Sequence, residues 1–568
     1  MSDIDCNDYV GRFEFVKFGH DVPKGDFARF VVIFIKMLLK TFEIENETFP
    51  SSKPGRKPYA LHKMASLVYY SYARGFTKAS VIADMAKNHT YFKFVANGIT
   101  PDEDTINNFI DIWGSFFEYL IVYSIQLAKI AGFTTFENTC IDSTFAKSNN
   151  NKFNVVHKED VKTLINYYSN KLIDMSELEA LRFPARNFLN RTDLSNKDKL
   201  KYLNKIMKRF DETGANTIPV HDINSIHMYN KDGNPDVGYN IQTAVDSESK
   251  MFIALIVSQK ATDHHQFPAI MNKSIENMGV LPLFACADAG YNTRRTLEYV
   301  EEIGLNALID NNRSAKLRNG HSNENKFHKD NMNYNIQEDY FTCFNQEKLF
   351  YQETKIKWDE KKQDYDIQRK YYNKKACTNC KYSNECCKTK YRTVSISGGI
   401  SALKMMLKFE EYENVLAYTK RFSTVEAPNG TLKIHYHINE LLTPNISKSQ
   451  NKINICGGSY NLIRLYNQFM ELEGINEDNI IEIVKELCKK TNIVMPIYRD
   501  KTFPFLEEKL ELPYICESCL PIKSLEKEYC DVQMTLDEVL ANHLLFFNII
   551  LNIFNILFLF IEHSVILL

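Results

Sequence analysis

The stretch Phe284-Ala285-Cys286-Ala287-Asp288-Ala289-Gly290-Tyr291 decides how this chain is read. Small and apolar residues suited to a buried strand run into an acid. Ala289-Gly290 then lets the backbone turn tightly and present the carboxylate at a sheet edge. Taken alone, an Asp at a strand end is more often a turn or cap residue than a functional group. The neighbouring segments alter that balance. Thr134–Ile141 is a short β-rich run that ends at Asp142. Gly238–Val245 reads as a strand, Asp246–Lys250 as a turn and Met251–Ser258 as the returning strand of a hairpin. His264–Met278 fits a helix, Leu281–Ala287 a strand, Thr293–Ile303 a helix and Asn306–Ile309 a strand.

Strand, hairpin, helix, strand, helix, strand is the order of a ribonuclease-H-like mixed α/β core. In that fold an acid on the first strand lies beside one at the end of the fourth, the two places held by Asp142 and Asp288. Two insertions interrupt the core. One, about 147–235, is helical and basic; the other, about 311–400, is rich in Lys, Tyr and Cys. Upstream, Leu61–Tyr72 reads as a helix broken at Gly75. A second runs from Thr77 to Ala86, and Pro101-Asp102-Glu103-Asp104 opens a long one through about Ala131. Short helices joined by tight turns permit a helix-turn-helix, and equally a plain bundle. The expected organisation is a helical N-terminal domain over 1–131, a core over 132–470 and an extension of unassigned role over 471–568.

Lys and Arg total 69 against 71 Asp and Glu, so any nucleic-acid surface has to be local. Basic runs span Arg182–Arg209 and Lys355–Arg392, both inside the insertions; as charge alone they are ordinary solvated faces. The N-terminus has no basic start followed by an apolar run, which suggests a reducing cytoplasm and thiols rather than disulfides. Leu544–Leu568 is long and apolar enough to span a membrane, but Asn548, Asn552 and Asn555 make a buried or aberrant tail the preferred reading over an anchor.

A third acid, Glu426, lies in Tyr418-Thr419-Lys420-Arg421-Phe422-Ser423-Thr424-Val425-Glu426-Ala427-Pro428-Asn429-Gly430-Thr431-Leu432-Lys433. Arg421 suits a bidentate phosphate grip, Lys433 a point charge, and Tyr418 a phosphate bond or a base stack. Five residues separate Arg421 from Glu426, which does not put them on one face of a regular helix. Three carboxylates brought together could hold two Mg²⁺ or Mn²⁺ ions for phosphodiester hydrolysis.

These residues resemble the DDE-class insertion-sequence transposases, in particular the subgroup with a tyrosine-arginine-glutamate-lysine signature and a cysteine-bearing insertion. Cys140–Thr144 resembles the first-Asp motif, Gly238–Asp246 the family hairpin and Ala287–Tyr291 the second-Asp motif. Tyr418, Arg421, Glu426, Gly430 and Lys433 resemble the third motif, and Tyr460–Asn467 the closing helix. Arg74–Phe76 and Pro101–Ile106 are similar to the N-terminal DNA-binding domain. The family commonly has Pro directly after the Glu, whereas here Ala427 intervenes. The resemblance implies a DDE transposase with Asp142, Asp288 and Glu426 holding two ions. It implies cleavage at terminal inverted repeats, strand transfer into target DNA, and a homodimer in the synaptic complex. The alternatives are a nuclease without strand transfer and an inactive remnant that only binds DNA.

Cys377-x2-Cys380-x5-Cys386, with Cys343 upstream, suits a structural Zn²⁺, and the resemblance strengthens that reading. Cys387 is a spare; Cys516, Cys519 and Cys530 make a weaker set. Cys140 and Cys286 read as core residues. Asp263, ahead of His264-His265 and a helix, reads as a cap. His435 and His437 alternate about Tyr436 as they would on a strand.

Overall fold

A computed structural model describes residues 21–41, 59–169, 174–229, 234–311, 323–359, 364–409, 411–441, 443 and 445–490. Two compact units result. Of the described residues, one takes in those up to 311, Thr354–Gln368 and those from Ile396 to Lys490; the other is built from Asn323–Glu353 and Arg369–Ser395. Cys516, Cys519, Cys530 and the apolar run 544–568 lie outside the described residues. Among the described residues, no helix is long and apolar enough to cross a membrane.

The first unit begins with helices α1 (Phe27–Thr41), α2 (Leu61–Ala73), α3 (Ala79–Asn88), α4 (Glu103–Ile112) and α5 (Gly114–Ile130), with a further turn of helix at Thr90–Val95. Asp102 starts α4 by accepting from the Thr105 amide at 2.8 Å. The expected long helix to Ala131 is in fact two, broken at Trp113. The cause is tertiary. Asn451 fits against Gly114, where any Cβ would lie 1.9 Å from its Oδ1, and its Nδ2 donates to the Ile110 carbonyl at 3.1 Å. A side chain far along the chain ends α4, and no local pattern announces it.

The core sheet is built on strands β1 (Asn138–Ser148), β2 (Pro235–Asp246), β3 (Phe252–Ser258), β4 (Phe284–Ala287) and β5 (Asn306–Ile309), and two short strands join it, Ile226–Tyr229 on β2 and Glu440–Leu441 on β1. The spatial order of the main strands is β3-β2-β1-β4-β5. β2 runs antiparallel to β1 and β3, and β4 runs parallel to β1 and β5. This is the ribonuclease-H-like mixed sheet. Helices α6 (Phe267–Met278) and α7 (Arg294–Glu302) follow β3 and β4. After the second unit come α8 (Tyr412–Ile434) and α9 (Ile446–Met470). His435 ends α8 as its C-cap and reaches the Ala73 carbonyl at 3.0 Å, so the strand expected through it is not formed.

The first insertion leaves and re-enters the sheet at one place, because β1 and β2 pair as far as Lys147↔Gly238. Gly238 is required there: a Cβ would meet the Ala146 carbonyl oxygen at 2.2 Å. The inserted helices bury their own apolar cluster, including Val161, Leu164, Phe188, Leu203, Ile206 and Phe210. In the second unit Asp339 accepts from the hydroxyls of Tyr334 and Tyr371 at 2.7 Å each and pairs with Arg369 at 2.6 Å.

α9 also closes the outer edge of the sheet. Asn461 accepts from the Phe252 amide at 2.8 Å, donates to the Phe252 carbonyl at 2.8 Å and donates to Ser124 Oγ at 3.0 Å. Gln450 likewise accepts from the Val257 amide and donates to the Leu255 carbonyl, at 2.7 and 2.9 Å. The backbone groups of an edge strand are thus satisfied by amide side chains rather than by another strand. Asn461→Leu strands a buried amide and a buried carbonyl, and a loss of about 2–4 kcal/mol is expected. Urea unfolding followed by circular dichroism checks this; an unchanged midpoint would remove the edge-closing role.

Candidate active site

The centre of the site is set by strand lengths. The parallel register Asn138↔Phe284, Thr139↔Ala285, Cys140↔Cys286 continues two residues further to set Asp142 against Asp288. β4 has ended by then, at Ala287, while β1 runs on to Ser148. Asp142 therefore sits within its strand, not at its end as the sequence suggests. On its other side it pairs with Thr243 of β2, whose hydroxyl donates to the Asp142 carbonyl at 3.2 Å. Asp288 opens a short turn and accepts from the Gly290 amide at 2.9 Å.

Both carboxyls are held above the usual range. Burial pushes Asp142 up to about 6; the Arg421 guanidinium opposes this, and the Asp288 and Asp263 charges add to it. Asp288 is raised first by burial, with Arg421 opposing and Asp263 contributing. Arg421 reaches Asp142 Oδ1 at 3.7 Å and lies over the Tyr418 ring, 5.7 Å from its centre. Burial works against the Arg421 charge, but Tyr418, Asp142 and Asp288 outweigh it and raise its pKa.

α8 buries Thr424, Val425, Pro428, Asn429 and Leu432. Asn429 Nδ2 donates to Asp142 Oδ2 at 3.3 Å, while its buried Oδ1 has no partner. Glu426 is exposed on the same helix. At about 100° per residue it stands about 60° around from Asn429, at the border of the face that looks onto Asp142. Lys433 lies in the last turn of α8. The structure thus brings together Asp142, Asp288, Arg421 and Tyr418, with Glu426 and Lys433 placed elsewhere on α8.

Two participants escaped the sequence reading. One is Asn429. The other is Asp263, expected to cap the helix after it. α6 instead starts at Phe267 without any side-chain cap, and Asp263 turns toward the sheet. Its Oδ1 accepts from Asn240 Nδ2 at 2.9 Å and Gln242 Nε2 at 2.8 Å. Asn240 and Gln242, two apart and so on one face of β2, were the signal available.

Among the described residues no three His, Cys, Asp or Glu side chains converge closely enough to hold a metal ion as they stand. The donor chemistry at the sheet nonetheless fits a hard cation: carboxylates that repel one another and a buried amide oxygen without a partner. In the second unit Cys343, Cys377, Cys380, Cys386 and Cys387 are free thiols. Burial raises Cys377 and Cys386, and each is raised further by Cys343 and Cys387. The four expected zinc ligands are close enough to feel one another without forming a closed tetrahedral set. Cys140 and Cys286 are buried in the sheet, as expected.

Among curated proteins none matches the sequence. One solved structure that it overlaps is a chain of the "piggyBac transposase synaptic complex with hairpin DNA", 9% identical, covering 82% of this chain and 81% of that one at a TM-score of 0.29. So loose an overlap positions nothing in the site. Residues 215–462 match the family described as "Transposase DDE domain", a span that includes Asp263, Asp288, Arg421, Glu426 and Asn429 and begins after Asp142. The chain is therefore similar to transposase DDE domains over that span, which runs through its ribonuclease-H-like core.

Proposed function

We propose that this protein is a cut-and-paste transposase, cleaving double-stranded DNA at terminal inverted repeats and joining the freed 3′ ends to target DNA. The observation that carries the reading is the parallel register that sets Asp142 against Asp288 at an open sheet edge, inside a chain similar to transposase DDE domains. Asp142, Asp288 and Glu426 hold the divalent ions, Mg²⁺ or Mn²⁺. When bound, two such ions activate the attacking water and stabilise the leaving oxygen.

The chain's own residues do the rest. Arg421, positioned by Tyr418, grips a phosphate of the scissile strand, and Lys433 supplies a further positive charge toward the DNA. Glu426 joins from the border of α8, where exposure leaves its side chain able to turn. The helical N-terminal region binds the repeats, and two chains pair the two ends in the synaptic complex. Such a protein works at the nucleoid, in the cytoplasm. In the inserted helices an open groove of about 850 Å³, lined partly by Arg191, Lys201, Lys205 and His221, offers a surface for the DNA backbone. The thiols of Cys343, Cys377, Cys380 and Cys386 close on a structural zinc.

Asp288→Asn is expected to abolish cleavage of terminal-repeat DNA while leaving its binding within about twofold, measured by nicking and gel-shift assays. Cleavage at the parent rate would remove Asp288 from the site. Cleavage by the parent without any joined product would favour a nuclease over a transposase. Elemental analysis should find one zinc per chain, lost in Cys377→Ser/Cys380→Ser.

The raised Asp142 also has a stability consequence. Its carboxyl ionises at 3.8 in the unfolded chain and at about 6 in the fold, so the native state binds the extra proton between those values. Stability from this group is therefore lost as pH rises through that window, and the cost is complete above it. Asp142→Asn should stabilise the metal-free protein at about pH 7.5 by on the order of 1–3 kcal/mol. The gain should shrink toward about pH 4.5. Melting curves in chelator at the two pH values check this, and an equal effect at both would contradict the assignment.

A further inference from the structure

Resting on the reading of the site just proposed, we propose that the cation-holding set extends beyond the three expected acids to Asp263 and Asn429. Asp263 supplies a carboxylate oxygen beside Asp288, and Asn429 supplies its side-chain carbonyl beside Asp142.

Asp263 is built to be rigid. Asn240 and Gln242 both donate to its Oδ1, at 2.9 and 2.8 Å. Gln242 is fixed in turn, since its Oε1 accepts from the Tyr291 hydroxyl at 2.6 Å. Tyr291 is fully buried. Orienting partners of this kind are what aim a metal-holding carboxylate. With Oδ1 engaged, Oδ2 faces the second-Asp turn. The point where a Cβ of Gly290 would stand is 3.1 Å from Asp288 Oδ1 and 3.3 Å from Asp263 Oδ2. Gly290 is thus the residue that lets the two carboxylates approach. Asp263 and Asp288 each raise the pKa of Asp142.

Asn429 is the second and independent observation. It is 7% exposed, and its Oδ1 is buried without a hydrogen-bond partner. Among the described residues its only side-chain hydrogen bond is the 3.3 Å donation to Asp142 Oδ2. An amide pressed against a carboxylate and half satisfied is arranged for a third participant. A half-turn about its last bond exchanges nitrogen for oxygen and puts the carbonyl where a cation held by Asp142 would want it. All the oxygens involved are hard donors suited to Mg²⁺ or Mn²⁺.

The test is Mn²⁺ binding to the full chain without DNA, read from the loss of the free-ion electron paramagnetic resonance signal. Mn²⁺ favours oxygen donors over thiols. Asp263→Asn and Asn429→Leu are each expected to weaken binding about tenfold. Asn429→Asp, which adds a carboxylate without changing shape, is expected to tighten it. Circular dichroism establishes that each variant is folded, and the gain in Asn429→Asp cannot come from misfolding. Parent affinity in Asp263→Asn or Asn429→Leu overturns the assignment of that residue. If both keep parent affinity while Asp142→Asn loses it, only this extension falls. If Asp142→Asn and Asp288→Asn also bind as the parent does, or the parent binds no Mn²⁺, the reading of the site falls with it.

Discussion

A strand that stops beside one that continues creates, on a sheet buried on both faces, a place where two carboxylates can face each other from neighbouring strands and still meet solvent. β4 ends at Ala287 and β1 runs on to Ser148. Within the paired part both strands are buried, as parallel strands are, and contribute Cys140, Ile141, Ala285 and Ala287 to the core. One register step beyond, the same alternation delivers acids instead of apolar side chains. A slip of one residue between β1 and β4 would turn one of the two carboxylates to the opposite face. The apolar packing under Cys140 and Cys286 is therefore what holds the chemistry in register.

Protecting that register is the work of the parts most distant in sequence. β3 is the outer strand, and its backbone is closed by Asn461 and Gln450 of α9. α9 also ends α4 through Asn451 and packs against α2 and α5. One helix thus joins the N-terminal helices to the sheet, which explains a 25-residue helix with buried Asn451, Asn454 and Asn461. These amides are structural, since each satisfies backbone or a neighbouring side chain. The insertion between β1 and β2 adds its own core and enters and leaves beside Lys147↔Gly238, so its length does not strain the sheet.

The fold was legible where local pattern and tertiary structure agree. β5 falls at Asn306–Ile309 as read, and the hairpin of β2 and β3 is shifted by only a few residues. Where a distant side chain intervenes, local reading fails: Asn451 breaks a helix that would otherwise run on, and His435 caps α2 instead of entering a strand. Of the three motif acids, the structure sets Asp142 against Asp288 and leaves Glu426 at the border of α8. Asp142 and Asp288 were readable from strand order. Asp263 was not, because a carboxylate before a helix has the same local appearance whether it caps that helix or turns to Asn240 and Gln242. Asn429 carries no charge and so drew no notice.

Helical phase explains the remaining tension, between Arg421 and Glu426. Read linearly they belong to one signature, but on the continuous α8 the face that looks onto Asp142 carries Arg421, Val425 and Asn429. Without a cation the guanidinium is the positive charge beside Asp142, and it lowers a pKa that burial raises. On the proposed reading, a divalent ion and Arg421 therefore compete for one carboxylate. With Asp142 engaged by a cation, Arg421 would be freer to hold a phosphate, and Glu426 would be free to turn in from the border of the helix. Because the exchange is reciprocal, a phosphate that takes Arg421 away from Asp142 must equally favour the ion. The acids, the arginine and the DNA backbone would then assemble as one coupled set.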